Sequence, residues 1–418
     1  MSTLLFTDEA ARAAARQQFD ALPMPGRTDE TWRFANFKAL DLTPFAETSA
    51  PFNGDRDRLL KGSAGLAEAA GKMVFANDTL LSREILSKEL AQKGVIWEPL
   101  EVAATAHPEL FDKHFMAHGA PLGSAKFAAL HAARVQTGTF LYVPAGVEIN
   151  LPIEVFHWLS GENNATFPHT LLIAGERSKV TLVDYFQGAE PDTAGLAVGF
   201  NDLYAGPGAH VDYVCVQNWN RATLAIQVNN TVVGRDAAVK SLNVNLGGRY
   251  ARTESASRLT GEGGRSDMLA VTAAAGSQEF DQRTFQDHLA PGAFSDLLYK
   301  NALDGASRTI FAGMIKVEQG AHRTDAYQKV RNLLLSDDAE ANSMPGLEIL
   351  ADEVRCSHGA TSGQIEAEEL FYLLARGIPH ETAQRLIVHG FLQEAIDRLG
   401  NTALGARLGE LVQAKFLG

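Results

Sequence analysis

Two residues near the end of the chain carry side chains that bind transition metals. Cys356 and His358 stand two positions apart in the segment Arg355–Thr361, and an extended strand projects alternate residues from one face. A thiolate and a neutral imidazole both bind iron and zinc, and sulfur favours iron–sulfur chemistry. Because two ligands do not complete a site, the residues alone leave two interpretations open. They form part of a metal site, or they are a structural cysteine beside an exposed histidine.

Other residue patterns typical of enzymes are absent from the sequence. There is no Gly-x-x-x-x-Gly-Lys-Ser/Thr phosphate loop, no nucleophile elbow and no His-Glu-x-x-His pair. The glycine-rich run Gly261–Gly264 does not open a helical pattern, so we interpret it as a tight turn. The sequence therefore predicts no enzymatic activity.

The remaining candidate side chains are interpreted as structural. Cys215 lies between two valines and is predicted to be buried. Three aspartates recur near the starts of predicted strands and alternate with apolar residues, as solvent-facing positions do; they are Asp184, Asp212 and Asp296. Four histidines near predicted turns are expected at the surface: His169, His210, His288 and His322.

The composition limits the partners and the compartment. The chain has 418 residues and a formal net charge of −13, which argues against binding to nucleic acid or to an anionic membrane. Two cysteines cannot form a disulfide framework, which favours a reducing cytoplasm. Met1–Glu9 lacks a signal-peptide pattern, and no segment approaches the roughly 20 apolar residues of a membrane span. We therefore expect a cytoplasmic protein.

Glycines at a regular spacing predict the architecture of the central region. From about residue 138 the chain alternates apolar and polar residues, and turn glycines recur 28 to 31 residues apart, at Gly146, Gly175, Gly206, Gly234, Gly263, Gly292 and Gly320. Half-buried strands follow most of these turns, as in Val147–Ile149 and Val180–Tyr185. A fixed period with strands as the repeated unit is typical of a β-solenoid or parallel β-helix, in which coils stack over a continuous core.

Helical patterns flank this region on both sides. On the amino-terminal side they cover Ala10–Leu22, Ser82–Lys93 and residues 101–134, with short strands at Met73–Asp78 and Gly94–Trp97. On the carboxyl-terminal side they cover Glu366–Arg376 and His380–Leu399, the latter preceded by Pro379 and followed by Gly400. Apolar residues at helical spacing in this last helix form a stripe that packs within the chain or binds a partner; they are Ala383, Leu386, Ile387, Phe391 and Ile396.

Several segments together resemble one known family. Arg355–Ile365 followed by Glu369–Ile378 looks like the carboxyl-terminal signature of the SufB/SufD family, scaffold components of the SUF iron–sulfur cluster assembly system. Leu335–Pro345, Phe140–Val147 and Glu30–Phe34 resemble further family segments, so the resemblance spans nearly the whole chain.

Two positions resemble the SufD branch more than the SufB branch. The residue after the motif histidine is Gly359, where the SufB branch has a glutamate. Asn229–Gly234, which corresponds to the stretch that carries the sulfur-accepting cysteine of SufB, contains no cysteine. Both differences argue against sulfur acceptance by this chain.

The resemblance implies a mainly β fold: a right-handed parallel β-helix core flanked by helical amino- and carboxyl-terminal domains, with boundaries expected at residues 1–137, 138–360 and 361–418. It implies a complex with a SufB-like subunit and with the ABC-type ATPase SufC, which would dock on the helices around residues 366–400. His358 would help to hold a transient iron–sulfur cluster shared with the partner subunit, Cys356 matches a neighbouring family cysteine, and this chain would bind no nucleotide. In isolation, a free flank of the β-helix could pair two copies as a homodimer.

Two alternatives belong to other classes of protein. A β-helix enzyme acting on carbohydrate would need clustered acidic residues in a groove. A purely structural solenoid would recruit an ATPase without binding iron or sulfide.

Overall fold

A computed structural model describes residues 6, 8–84 and 86–417 of the protein. Its core consists of two ten-stranded sheets that lie face to face. From Thr139 onward the chain passes mainly from one sheet to the other and back. Each coil therefore adds one strand to each sheet, and the stacked strands are parallel. The first sheet has the order β2 (Thr79–Arg83), β1 (Gly71–Ala76), β5 (Ile153–Leu159), β8 (Lys179–Gly188), β10 (His210–Asn218), β12 (Ala238–Asn245), β14 (Arg265–Ala274), β16 (Phe294–Leu303), β18 (Asp325–Leu334), β20 (Arg355–Gly363). The second has the order β19 (Glu340–Ile349), β17 (Arg308–Val317), β15 (Glu279–His288), β13 (Tyr250–Leu259), β11 (Thr223–Val233), β9 (Gly195–Ala205), β7 (His169–Ala174), β4 (Thr139–Val143), β3 (Ile96–Pro99), and the short β6 (Asn164–Thr166) pairs with β9. The expected mainly β, parallel solenoid is confirmed.

The periodic glycines lie where the chain turns from the second sheet to the first. Their backbones stack from coil to coil: the N–H of Gly206 donates to the carbonyl of Ala174 at 2.8 Å, and the N–H of Gly234 donates to Ala205 at 2.9 Å. A Cβ on Gly234 would lie 2.8 Å from the oxygen of Ala205, which is closer than a Cβ tolerates. Each interval between periodic glycines therefore corresponds to one coil of the solenoid.

Two local predictions were wrong. Val147–Ile149 contains one isolated bridge, at Glu148, and β5 begins only at Ile153. Much of Ser82–Lys93 is not helical, because Thr79–Arg83 turns back on β1 as an antiparallel strand. The turn is Asn77–Asp78, whose φ angles of 47° and 55° suit a two-residue hairpin. Helix is limited there to Lys88–Gln92, and Ile85 lies outside the described residues.

Most of the amino-terminal segment covers the outer face of the second sheet, whereas Leu59, on the second of its helices, packs against Phe156 and Trp158 of the first sheet. Its helices are α1 (Glu9–Ala21), α2 (Arg56–Gly62), α3 (Lys88–Gln92), α4 (Leu100–Ala106), α5 (Pro108–His114) and α6 (Ala125–Arg134), with 3₁₀ turns at Glu30–Trp32 and Phe37–Leu40. Trp32 and Phe127 pack with Leu196 and Ile226 of the second sheet. Phe111 packs in a second cluster, with Phe140 and Leu171.

The carboxyl-terminal helices cover part of the outer face of the first sheet. They are α7 (Ala367–Ala375), α8 (His380–Asp397) and α9 (Thr402–Leu417). Val388 and Leu392 of α8 and Leu408 of α9 join a buried cluster with residues of β12 and β14 such as Val244 and Val271. The sequence interpretation included the first two helices and missed α9. No helix among the described residues has both the length and the apolar character that a bilayer span requires.

Candidate functional site

Cys356 and His358 lie on β20, the terminal strand of the first sheet. On one side β20 pairs in parallel with β18, and its other edge has no neighbour among the described strands. Cys356 is in register with Ala326, and His358 is in register with Gln328. Ala326 and Gln328 are both completely buried between the sheets, so Cys356 and His358 continue an inward-facing row at the open end of the solenoid.

Cys356 is half-buried and packs in a small apolar cluster. The cluster contains Ile315, Val317 and Ala326. Burial raises the pKa of the Cys356 thiol, and the nearby carboxylate of Asp325 adds to the effect, while a hydrogen bond with the backbone of Ala326 opposes it. The cysteine is a free thiol, and it would bind a metal as the deprotonated thiolate.

His358 is exposed, whereas Gln328, its in-register neighbour on β18, is completely buried. The next position, Gly359, has open space around it, since an added Cβ would meet no atom within 4 Å. Within the described residues, no group of three or more His, Cys, Asp or Glu side chains lies close enough to hold a metal ion. This chain therefore offers one exposed imidazole and one half-buried thiol, both on the same face of a terminal strand.

The end strand of the second sheet is also open. β19 pairs with β17 on one side only, and every residue of β19 is exposed or half-buried. Ile349 is 40% exposed and Leu350 is 51% exposed, and Met314 of β17 is 37% exposed. Large apolar side chains therefore lie beside two long, unpaired edges, a combination that soluble chains usually cover.

The other sequence-predicted candidates lie elsewhere, and three were assigned to the wrong side. Asp184 is completely buried between the sheets, where its carboxylate accepts hydrogen bonds from the hydroxyls of Tyr213 at 2.7 Å and Thr170 at 2.8 Å. His169 and His288 are also completely buried. For Asp184 the error arises because alternation does not identify which side of a strand faces solvent when helices cover much of the outer faces. For His169 and His288 it arises because both lie within strands, β7 and β15, and not in the turns.

Asp212 and Asp296, also predicted to face solvent, are half-buried. The predictions for Cys215, two of the histidines and the glycine-rich run are confirmed. Cys215 is buried as predicted, and burial raises its pKa to well above that of a free thiol. His210 and His322 are exposed. Gly261–Gly264 lies at a tight turn, with a φ of 69° at Gly263.

The apolar stripe of α8 divides between two environments. Ala383 and Ile396 are buried against the protein, whereas Leu386 is 50% exposed. Leu386 lines a cleft of about 830 Å³ between α7, α8 and the end of β18. On α7, Phe371 is 70% exposed and Tyr372 is 56% exposed, so this helix presents apolar surface that the chain does not bury.

A buried ionic cluster that the sequence interpretation missed fastens the amino-terminal segment. Arg252 is almost fully buried and forms ion pairs with Glu254 at 2.7 Å and Asp281 at 2.6 Å. Its guanidinium lies 3.7 Å from the ring centre of Trp32 and donates to the carbonyl of Thr31 at 2.9 Å. This contact gives Trp32, in the Glu30–Phe34 segment, a structural role.

The fold and the site define the class of protein: a parallel β-solenoid whose outer faces are largely covered by helices and whose open end carries a cysteine and a histidine, two residues apart, on an exposed strand. Comparison with protein families identifies it further. The family model for the SUF system FeS cluster assembly SufBD core domain matches residues 157–391, and the model for the SufBD protein N-terminal region matches residues 7–155. The chain belongs to the SufBD family of iron–sulfur cluster assembly proteins.

Individual relatives agree with this assignment. The chain is 29% identical over 412 residues to the iron–sulfur cluster assembly protein SufD of Bacillus subtilis (strain 168), covering 97% of this chain and 93% of that protein. It is 28% identical over 333 residues to an iron–sulfur cluster assembly SufBD family protein of Staphylococcus aureus (strain USA300), covering 79% of this chain and 71% of that protein. The chain is thus a homologue of SufD, as the sequence motifs predict.

Proposed function

We propose that this protein is a SufD-like scaffold subunit, without enzymatic activity of its own, that helps to hold a nascent iron–sulfur cluster at an interface with a SufB-like subunit. The observation that carries the proposal is the position of His358 beside Cys356 on the exposed terminal strand. A neutral imidazole and a thiolate are ligands that iron accepts in such clusters. The cluster is the cargo of the assembly, and the partner chain would supply the remaining ligands.

The open end of the solenoid supports the location of this interface. The free edges of β19 and β20 present unpaired backbone groups, and a second solenoid could continue either sheet by adding a strand. The same edges could pair two copies of this chain when the SufB-like subunit is absent. Both cysteines are free thiols, which supports a place in the reducing cytoplasm.

A SufC-like ATPase would dock on α7 and α8. The exposed side chains of Phe371, Tyr372 and Leu386 support this docking surface, and the sequence has no phosphate loop with which the chain itself could bind a nucleotide. Three residues separate the end of β20 from the start of α7. A displacement of α7 by the ATPase would therefore act close to the strand that carries His358.

Substitution of His358 tests the scaffold role. The complex is assembled with the SufB-like and SufC-like subunits, reconstituted anaerobically with iron and sulfide, and monitored by visible absorbance. We expect His358→Ala to reduce the bound cluster about tenfold or more, since loss of a ligand opens the site. His322→Ala is the matched control, because His322 is also exposed near the open end. Equal cluster content in the His358→Ala and unsubstituted complexes would contradict the ligand role.

The same measurement on Cys356→Ser separates a ligand from a packing residue. If the thiol only packs among the apolar side chains around it, Cys356→Ser leaves the amount of bound iron–sulfur cluster unchanged.

A carbohydrate-acting enzyme is not favoured, because the outer faces of the sheets are packed under helices over much of their area. Cleavage of a polysaccharide by the purified chain would reverse this conclusion.

A further inference from the structure

Gln328 is a completely buried amide that lies in register with His358 on the neighbouring strand. Residues in register on parallel strands project from the same face and are neighbours. The amide oxygen, Oε1, is buried and has no hydrogen-bond partner among the described residues. An unpaired buried acceptor costs free energy, so one next to a functional side chain needs an explanation.

The hydrogen bonds around Gln328 fix which end of its amide is free. Gln286 Nε2 donates to the hydroxyl of Ser295 at 2.7 Å and to the backbone carbonyl of Tyr327 at 3.2 Å. A carbonyl only accepts, so this end of Gln286 is its NH₂ group, and its oxygen faces Gln328. Gln328 must then present its own NH₂ group, and its Nε2 donates to Gln286 Oε1 at 3.2 Å. The oxygen of Gln328 is left as the free acceptor.

Of the two residues in register with Gln328 on the neighbouring strands of its sheet, only one can donate a side-chain hydrogen bond to its amide oxygen. On β16 the residue in register is Leu297, whose side chain has no hydrogen to donate. On β20 it is His358, whose ring carries an N–H. Across the interior Gly313 makes room for the amide, since a Cβ there would lie 2.5 Å from Gln328 Nε2.

We propose that Gln328 is a positioning residue for His358: in the cluster-bound complex its Oε1, which is free in this structure, accepts the N–H of one ring nitrogen and so directs the other, unprotonated nitrogen toward the metal. This inference rests on the proposed function, in which His358 binds iron. Metal-binding histidines are oriented in this way by a second hydrogen bond, and loss of that bond typically costs 10- to 100-fold in metal affinity. The buried contacts of Gln328 with Gln286 and Gly313 hold the acceptor in place.

The experiment compares Gln328→Met with the unsubstituted protein in the complex with the SufB-like and SufC-like subunits. Methionine keeps the length of the side chain and removes the acceptor. After anaerobic reconstitution with iron and sulfide, we expect Gln328→Met to accelerate cluster loss to a chelator about tenfold. In the reduced cluster, pulsed electron paramagnetic resonance should detect a changed quadrupole coupling at the remote ¹⁴N of the histidine, because that nitrogen loses its hydrogen bond.

Two further variants separate positioning from a structural role. Asn332→Leu is the matched control: it removes another buried amide of β18, which donates to Ser343 Oγ at 3.3 Å and Ser362 Oγ at 3.1 Å, and should leave the remote ¹⁴N coupling unchanged. In a His358→Ala background, Gln328→Met should have no further effect on cluster loss. An equal effect with and without His358 would overturn the positioning role.

The outcomes also distinguish this inference from the proposed function. If the unsubstituted complex lacks histidine ¹⁴N coupling and His358→Ala retains its cluster, both proposals fail. If His358 binds the cluster but Gln328→Met changes neither the ¹⁴N coupling nor the rate of cluster loss, only the positioning role is overturned.

Discussion

The two ends of the solenoid are built in opposite ways. At the first end the outermost strands are short and antiparallel: β2 folds back on β1, and the four residues of β3 pair with β4. Met73, Phe75 and Trp97 fill the space between the sheets there. At the last end β19 and β20 are long and parallel to their neighbours; β20 is exposed along most of its length, and β19 is exposed or half-buried throughout.

The difference indicates which end is complete within this chain. Short, reversed end strands and an apolar filling are common ways of closing a sheet against further pairing. The last end lacks the short, reversed strands and has only a small apolar cluster between its sheets, and its inward row ends in the half-buried Cys356 and the exposed His358. We therefore infer that the closed part of the solenoid, from its first end through the coils that the helices cover, stabilises the fold, and that the open last end binds the partner.

The largest effect on folding is expected at Arg252, in the closed part. Arg252→Met leaves Glu254 buried without its cation, while Asp281 keeps its ion pair with Arg283 at 2.6 Å, and breaking a buried pair costs about 3–5 kcal/mol. Denaturation in urea should show this loss in the free energy of unfolding. Arg265→Met is the control, because the half-exposed pair of Arg265 with Asp267 at 2.9 Å should contribute no more than about 1 kcal/mol. Equal losses in the two variants would contradict the role of the buried cluster.

The second prediction concerns the pH dependence of stability in the buried interior. Burial raises the pKa of Asp184 to about 6. Because the folded-state pKa is above the unfolded value, Asp184 favours the folded state most at low pH, and this contribution is lost as the pH rises from about 4 through 6. Asp184→Asn removes the ionisation, so its stability relative to the unsubstituted protein should rise across this window by roughly 3 kcal/mol. A difference that stays constant from pH 4 to pH 7 would show that Asp184 does not ionise with this pKa.

Some of the features behind these predictions could be predicted from the sequence, and others could not. The coil period was predictable because turn glycines mark one side of the solenoid. The turns from the first sheet to the second are not marked by so regular a series, so half of the strands were not counted. Arg252 and Trp32 meet only in the folded chain. Gln328 lies 30 residues before His358 in the sequence, which is one coil period, so the spacing alone could have identified it.

A smaller effect is expected at the open end, and on association rather than on folding. Ile349→Lys places a charge on the exposed end of β19, where Ile349 is 40% exposed. We expect weaker binding to the SufB-like subunit, by about tenfold in Kd, with a free energy of unfolding within about 0.5 kcal/mol of the unsubstituted value. Calorimetric titration and urea denaturation provide the two measurements. Leu80→Lys, at the closed end on β2, is the control for added charge; an equal loss of binding there would remove the distinction between the ends.

Hydrogen exchange at β20 tests the central claim most directly. Mass spectrometry would compare the exchange of residues 355–363 in the monomeric chain and in the complex with the SufB-like subunit. We predict that these amides exchange readily in the monomer and at least about tenfold more slowly in the complex, because the open edge becomes paired. Unchanged exchange at residues 355–363, with protection appearing elsewhere on the chain, would contradict the assignment of the open end as the shared interface.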